Sequence, residues 1–156
     1  MKIREATSDD LETIVTFNRQ LAIDSGDDVP REPTLRAGVG RALDQPELCR
    51  YFLATAEDGG EILGQCMVTY EWSDWRDGTI WWFQSVFVKA EWRGKGVFDR
   101  LYDHVRSLAN ADPDARELRL YVLESNSRAQ RAYQRCGMKP SGYVVYEGKL
   151  GESQKE

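Results

Sequence analysis

The 156-residue sequence holds one histidine, three cysteines, five prolines and fewer basic than acidic side chains. Each scarcity excludes something. The single histidine, His104, falls beside Arg100, Asp103 and Ser107 on the polar side of a predicted helix. That placement puts it in solvent and argues against a Ser-His-Asp hydrolase. Cys49, Cys66 and Cys136 are odd in number and far apart, with no CxxC or other metal-ligand spacing. They read as buried small hydrophobes in a reducing compartment, and no metal is expected. The longest mostly apolar run, residues 80–88, is far short of the roughly 20 residues that span a bilayer. Met1-Lys2-Ile3-Arg4-Glu5 is a charged start and not a secretion signal, so a cytoplasmic protein is expected. Twenty-one basic against 26 acidic residues leave a net charge of −5, which argues against a surface built for nucleic-acid phosphates.

What is present fits one globular domain. At 41% hydrophobic and 30% charged, the composition is that of a folded chain. A chain of this length buries roughly 70% of the surface its unfolded form exposes, enough to dispense with metal or disulfide staples. One domain over residues 1–150 and a flexible tail over 151–156 are expected.

The periodicities predict the order β-α-α-β-β-β-α-β-α-β. A strand at 3–6 leads to a helix that Ser8-Asp9-Asp10 starts, with Leu11, Ile14, Val15, Leu21 and Ala22 as its stripe. A loop at 24–33 precedes a helix at 35–43. Strands at 50–57 and 61–72 flank Asp58-Gly59-Gly60, a good hairpin turn, and a strand at 79–88 completes a meander. A helix at 96–109, a strand at 117–123, a helix from Ser127 to about Cys136 with Gly137 as left-handed cap, and a strand at 143–147 follow. This order predicts a mixed sheet with helices on both faces.

Residues 86–97 carry the chemistry. A strand ending Val86-Phe87-Val88 feeds Arg93-Gly94-Lys95-Gly96, which opens directly into the helix beginning Val97-Phe98. The first N–H groups of a helix lack internal partners and lie at the positive end of its dipole. Glycine removes the Cβ that blocks an approaching phosphate, and Arg93 and Lys95 add charge. The segment describes an anion site. It is no P-loop, because G-x-x-x-x-G-K-[ST] is absent, and Asp99 breaks G-x-G-x-x-G. Downstream, Asn126 and Tyr133 are seven residues apart, two helical turns, and share a face. A capping asparagine and a core tyrosine would give the same spacing.

The first motif resembles the GNAT superfamily of N-acetyltransferases, whose pattern here is [QR]-x-x-G-x-[GA]. Arg93 and Gly96 match, while Phe98 replaces the small residue. The second motif is similar to the family's N-x-x-A-x-x-x-Y-x-x-x-G-[FM], met by Asn126, Ala129, Tyr133, Gly137 and Met138. The resemblance implies a GNAT-like α/β (α+β mixed) fold with a central, mostly antiparallel mixed sheet. It implies acetyl-CoA as co-substrate, its pyrophosphate on the amides of Gly94, Gly96, Val97 and Phe98. A Phe98 ring turned into the core leaves its N–H available.

Further implications concern catalysis. A primary amine attacks the thioester, strand N–H groups near Val86, Phe87 and Val88 stabilise the carbonyl oxygen, and Tyr133 protonates the leaving thiolate. Glu124 is the first candidate base and Glu71 the second, with water or an already neutral amine as alternatives. Homodimerisation is plausible in the family. Trp72, Trp75, Trp81 and Trp82, interleaved with Glu71, Asp74 and Asp77, suggest an ammonium cage or an amphipathic sheet end. Residues 70–75 look similar to the diamine (polyamine) branch, but Gln84-Ser85 stands where that branch shows an acidic pair. A small amine, an amino acid, and a peptide N-terminus or lysine remain open as acceptors. Rival readings are a non-catalytic acyl-CoA sensor and a nucleotide-binding redox domain.

Overall fold

Strand alternation and helical stripes build two hydrophobic cores, one on each face of the sheet. The computed structural model describes residues 1–148 and 150; the expected tail at 151–156 lies outside the described residues. Five strands stand in the order β1 (Lys2–Glu5), β2 (Cys49–Thr55), β3 (Ile62–Ser73), β4 (Gly78–Val88), β5 (Ala115–Leu120). The first three pairings are antiparallel and β4–β5 is parallel. The sheet is thus mixed and mostly antiparallel, as the resemblance implies.

Helices α1 (Leu11–Ser25) and α2 (Glu32–Leu43) cover one face, where Ile14, Val15 and Val39 meet Tyr51 and Leu53. Helix α3 (Val97–Ala111) covers the other, where Leu101 and Val105 meet Phe52, Ala54, Val68, Trp81 and Phe83. Because both faces are covered, residues 51–55 of β2 are all buried. Helix α4 (Ser127–Arg135) adds the half-buried Ala132, Tyr133 and Cys136 to the α3 side. No helix is long and apolar enough to cross a membrane among the described residues.

A single 3-10 turn at Ser8–Asp10 leads into α1, whose N-cap position is Asp10, within the expected Ser8-Asp9-Asp10 start. Thr7 caps that turn, and the Asp10 carboxylate reaches back to accept the Thr7 N–H at 2.8 Å. The same carboxylate takes both forks of the Arg4 guanidinium, at 2.7 and 2.8 Å. Those bonds from Arg4 hold the Asp10 carboxyl below the usual carboxylate range, against the opposing pull of burial. This ties β1 to the start of α1.

Two expectations fail at the far edge. The strand expected at 117–123 ends at Leu120, because the ladder to β4 closes at Phe83–Leu120. The strand expected at 143–147 does not form. Residues 143–148 are irregular and exposed, with Tyr143 74% and Tyr146 91% accessible. Their β propensity has no neighbouring ladder to express it, and propensity without a partner strand is weak.

The end of β4 positions the site. Five residues of β4 beyond Phe83 run on past the last partner on β5, so the two parallel strands part. On its other side β4 pairs with β3, and the register slips. Gln65 faces Phe87 while Met67 faces Gln84, so Ser85 and Val86 together oppose Cys66. This is a β-bulge, and Ser85 sits in it at φ +47°, a left-handed conformation uncommon outside glycine. Gly64 lies directly beneath. A Cβ there would stand 2.7 Å from the Phe87 carbonyl and 3.1 Å from the Val97 side chain, so only glycine lets β3 come this close.

Candidate active site

The chain leaves β4 at Val88, makes a single 3-10 turn at Ala90–Trp92, and enters α3 through Arg93-Gly94-Lys95-Gly96. Gly94 has φ +75° and Gly96 φ +78°. Each is thus needed for its left-handed backbone, which side-chain-bearing residues reach only with strain. A Cβ on Gly94 would meet nothing within 4 Å, and one on Gly96 only the Asp99 carboxylate at 3.8 Å. The space above both residues is open. Among the described residues, no hydrogen bond uses the Gly94 or Gly96 N–H. Together with the first N–H groups of α3, they form a cradle of backbone donors at a helix start, as required for a pyrophosphate.

Phe98 turns its ring inward. It is 8% exposed and packs against Phe83, Tyr102 and Tyr133. The departure from the small residue of the pattern therefore leaves the face of the turn clear. Val86 and Val88 pack toward α3, whereas Phe87 stacks on Phe17 of α1 with ring centroids 4.7 Å apart.

The two cations of the turn behave differently from the expected pair of free charges. The Arg93 Nε donates to the Val88 carbonyl at 3.0 Å, and its Nη2 donates to Asp24 at the end of α1. Gln20 first, and then Arg93, holds the Asp24 carboxyl below its ordinary range. Arg93 thus braces the turn against β4 and α1. Lys95 lies over the Trp92 ring, 5.0 Å from its centroid, and remains the freer charge.

Tyr133 is brought to this turn. Its ring stands edge-on to Phe98 at 5.1 Å, and its hydroxyl has no hydrogen-bond partner among the described residues. Burial pushes its pKa above the ordinary tyrosine value, so the hydroxyl keeps its proton at neutral pH. Asn126 is the N-cap of α4, and its Oδ1 accepts the Ala129 N–H at 3.1 Å. Gly137, at φ +84°, ends that helix as expected, and the Met138 N–H returns to the Tyr133 carbonyl at 3.1 Å. Glu124 is not on a strand. It is exposed in the turn before α4, where its carbonyl accepts the Gln130 amide at 2.9 Å.

Other expectations are corrected. The tryptophans do not gather, because successive strand residues face opposite sides of a sheet. Trp81 is buried against Tyr70, whereas Trp82 packs on Tyr121 and carries Arg119 over its ring at 5.8 Å. Trp72 and Trp75 are exposed. The cation on Trp82 is the chain's own guanidinium, so no ammonium cage forms there. His104 is half-buried, edge-on to Phe52 at 5.4 Å, and not in open solvent. Burial, then Arg50, pushes its pKa down. The Cys136 thiol, pushed up to about 11 by burial and by Asp99, is no nucleophile at neutral pH.

Three residues escaped the sequence reading: Ser85 in the bulge, Gln65 and Asn18. Gln65 had a signal, a lone amide inside Leu63-Gly64-Gln65-Cys66-Met67-Val68. Recesses of about 550 Å³ (between α1 and α2) and about 500 Å³ (beside Arg50, Tyr70 and Trp81) contain no residue of the glycine turn. The donor cradle is an open cleft and not an enclosed cavity.

Known proteins are similar to this chain in sequence and fold. A family model described as "Acetyltransferase (GNAT) family" matches residues 16–138. The bovine (Bos taurus) thialysine N-epsilon-acetyltransferase is 33% identical over 144 residues, covering 86% of this chain and 82% of its own. A Clostridium difficile 630 protein, solved as "a possible acetyltransferase", superimposes with a TM-score of 0.87 at 36% identity, covering 97% of this chain and 98% of that one. A "predicted acetyltransferase" from Clostridium acetobutylicum solved with acetyl-CoA shares the fold, with a TM-score of 0.76 at 14% identity over 94% of this chain and 95% of that one. By its matched sequence and its fold, the chain belongs to the GNAT acetyltransferase family, and is an N-acetyltransferase of the acyltransferase class.

Proposed function

We propose that the chain transfers the acetyl group of acetyl-CoA to a small primary amine by direct attack on the thioester. One observation carries this reading. The open donor cradle at Gly94–Gly96 and the parting of β4 from β5 lie at the two ends of one short segment, and the Tyr133 ring packs on Phe98 at the start of the helix that this segment enters.

In this reading the pyrophosphate rests on the N–H groups of Gly94, Gly96, Val97 and Phe98, with Lys95 adding charge. The pantetheine arm lies along Val86, Phe87 and Val88, taking the place of the strand that β5 ceases to supply. Asn126 and Ala129 border the arm from the start of α4. The amine nitrogen forms a bond to the thioester carbon while the carbonyl oxygen gains negative charge, which backbone N–H groups at the bulge stabilise. The C–S bond then breaks, and Tyr133 gives its proton to the departing thiolate. The amine's proton leaves through Glu124, directly or by way of water, and solvent restores Tyr133.

The bovine relative's named acceptor is thialysine, which ends in a primary amine. That supports an amine at the end of a flexible side chain. Arg119 over Trp82, and the uncharged Gln84 and Ser85, tell against a site built for several positive charges.

The test is thiol release from acetyl-CoA over a panel of thialysine, lysine, putrescine, spermidine and a short peptide. Acetylation of the monoamine-ended acceptors above hydrolysis, and in preference to spermidine, is expected. Acetyl-CoA binding without transfer to any amine would instead favour the acyl-CoA sensor.

A further inference from the structure

The bulge that bends β4 at the proposed reaction centre is held by a side chain from the neighbouring strand. Gln65 lies in the first half of β3 and is fully buried. Its Nε2 donates twice, to the Ser85 carbonyl at 3.2 Å and to the Asn18 Oδ1 at 2.7 Å. The Asn18 Nδ2 in turn donates to the Tyr51 hydroxyl at 3.1 Å, which keeps its Oδ1 turned toward Gln65. A chain of bonds from β2 through α1 and β3 therefore ends on the one residue of β4 that carries a left-handed backbone without being glycine.

This arrangement is costly for the core and is justified by what it holds. The Gln65 Oε1 is buried with no partner among the described residues. A methionine would fill the same space without stranding an acceptor. A buried amide therefore gains its advantage through the two bonds of Nε2. One of them satisfies Ser85, whose carbonyl sits in the bulge where the β3–β4 ladder is broken. Without that bond the bulge loses its tie to β3, and Ser85 and its neighbours leave this geometry more often.

We infer that Gln65, oriented by Asn18, is a positioning residue. It keeps the β4 bulge in the shape that points backbone N–H groups at the thioester oxygen. The inference rests on the proposed transfer to an amine. Gln65 touches neither the phosphate turn nor α4, so its loss should act on turnover and leave coenzyme binding alone.

The experiment compares the full chain with Gln65→Met and Asn18→Ala. Acetyl-CoA affinity is read by calorimetry, turnover by thiol release with saturating amine, and the Val86 and Phe87 amides by hydrogen exchange. Displacing preorganised donors by about 1 Å costs on the order of 100-fold in rate. Gln65→Met should lower kcat by about 30-fold or more with acetyl-CoA Kd changed by less than about 3-fold, and Asn18→Ala by about 5-fold. Exchange at Val86 or Phe87 should quicken by about 10-fold in Gln65→Met, because their local structure opens more often.

A merely structural role would lower the melting temperature and leave kcat of the folded enzyme unchanged. A folded Gln65→Met with kcat and exchange both at wild-type values overturns the inference. Should that variant not fold, unchanged kcat and exchange in Asn18→Ala overturn it equally. Absence of amine acetylation by the wild-type chain would instead remove the proposed function, while hydrogen exchange would still decide whether Gln65 holds the bulge.

Discussion

Replacing Gly96 by valine should weaken acetyl-CoA binding by about 100-fold or more while leaving the protein folded. Gly96 has φ +78°, and a β-branched residue held there is strained by about 1–2 kcal/mol. The backbone relieves that strain by rotating, which turns the Gly96 and Val97 N–H groups away from the open side of the turn. Hydrogen bonds to a charged group are each worth about 1.5–3 kcal/mol, so losing two removes roughly 3 kcal/mol or more. About 1.4 kcal/mol corresponds to tenfold in affinity, which gives the 100-fold figure. Packing cannot account for such a loss. The nearest atom to a Cβ at this position is the Asp99 carboxylate, at an ordinary contact of 3.8 Å. Calorimetric titration checks the prediction, and affinity within about 3-fold of the wild type would mean that the turn holds no phosphate.

Removal of the Tyr133 hydroxyl should be the most damaging change to turnover. Tyr133→Phe keeps the ring that stands edge-on to Phe98, so fold and coenzyme affinity should be retained. A positioned general acid contributes about 100-fold to 10,000-fold, and a fall in kcat of about 100-fold is expected where water takes over the proton. The pH profile sharpens the test. Burial raises the Tyr133 pKa, so the acid form is complete throughout the neutral range and is lost only in strong alkali. Any rise of kcat between pH 6 and 9 therefore reports loss of a proton from the amine or its base, and it should persist in the phenylalanine variant. Equal kcat in both proteins would leave the thiolate to be protonated by solvent.

Most of the fold was legible because its signals are local. The 3.6-residue stripe Val97, Leu101, Val105 appears as the buried face of α3, with Phe98 and Tyr102 beside it. Asp58-Gly59-Gly60 turns between β2 and β3, with Gly59 at φ +77°. Two glycines before a helix marked the left-handed turn into α3, since their requirement for positive φ is a property of the residue type.

The features that stayed hidden depend on partners distant in sequence. Ser85 bears no mark of a left-handed backbone; the slip between Gln65 and Met67 on the opposing strand puts it there. Arg93 was read as added charge at the turn, but Asp24, 69 residues away, takes its guanidinium. Trp81 and Trp82 were read as one cluster, although the pleat separates them. Residues 143–147 have the composition of a strand, yet no strand lies beside them to complete a ladder.

The central claim is that the glycine turn binds acetyl-CoA through its backbone. An acetyl-CoA titration of the nitrogen-15-labelled chain, followed at each backbone amide, tests it most directly. The account predicts that Gly94, Gly96, Val97 and Phe98 show the largest shifts, downfield as their N–H groups bond to phosphate, with smaller shifts at Val86 to Val88. Saturable binding with those amides unmoved, and with shifts centred instead on the recess between α1 and α2, would contradict it.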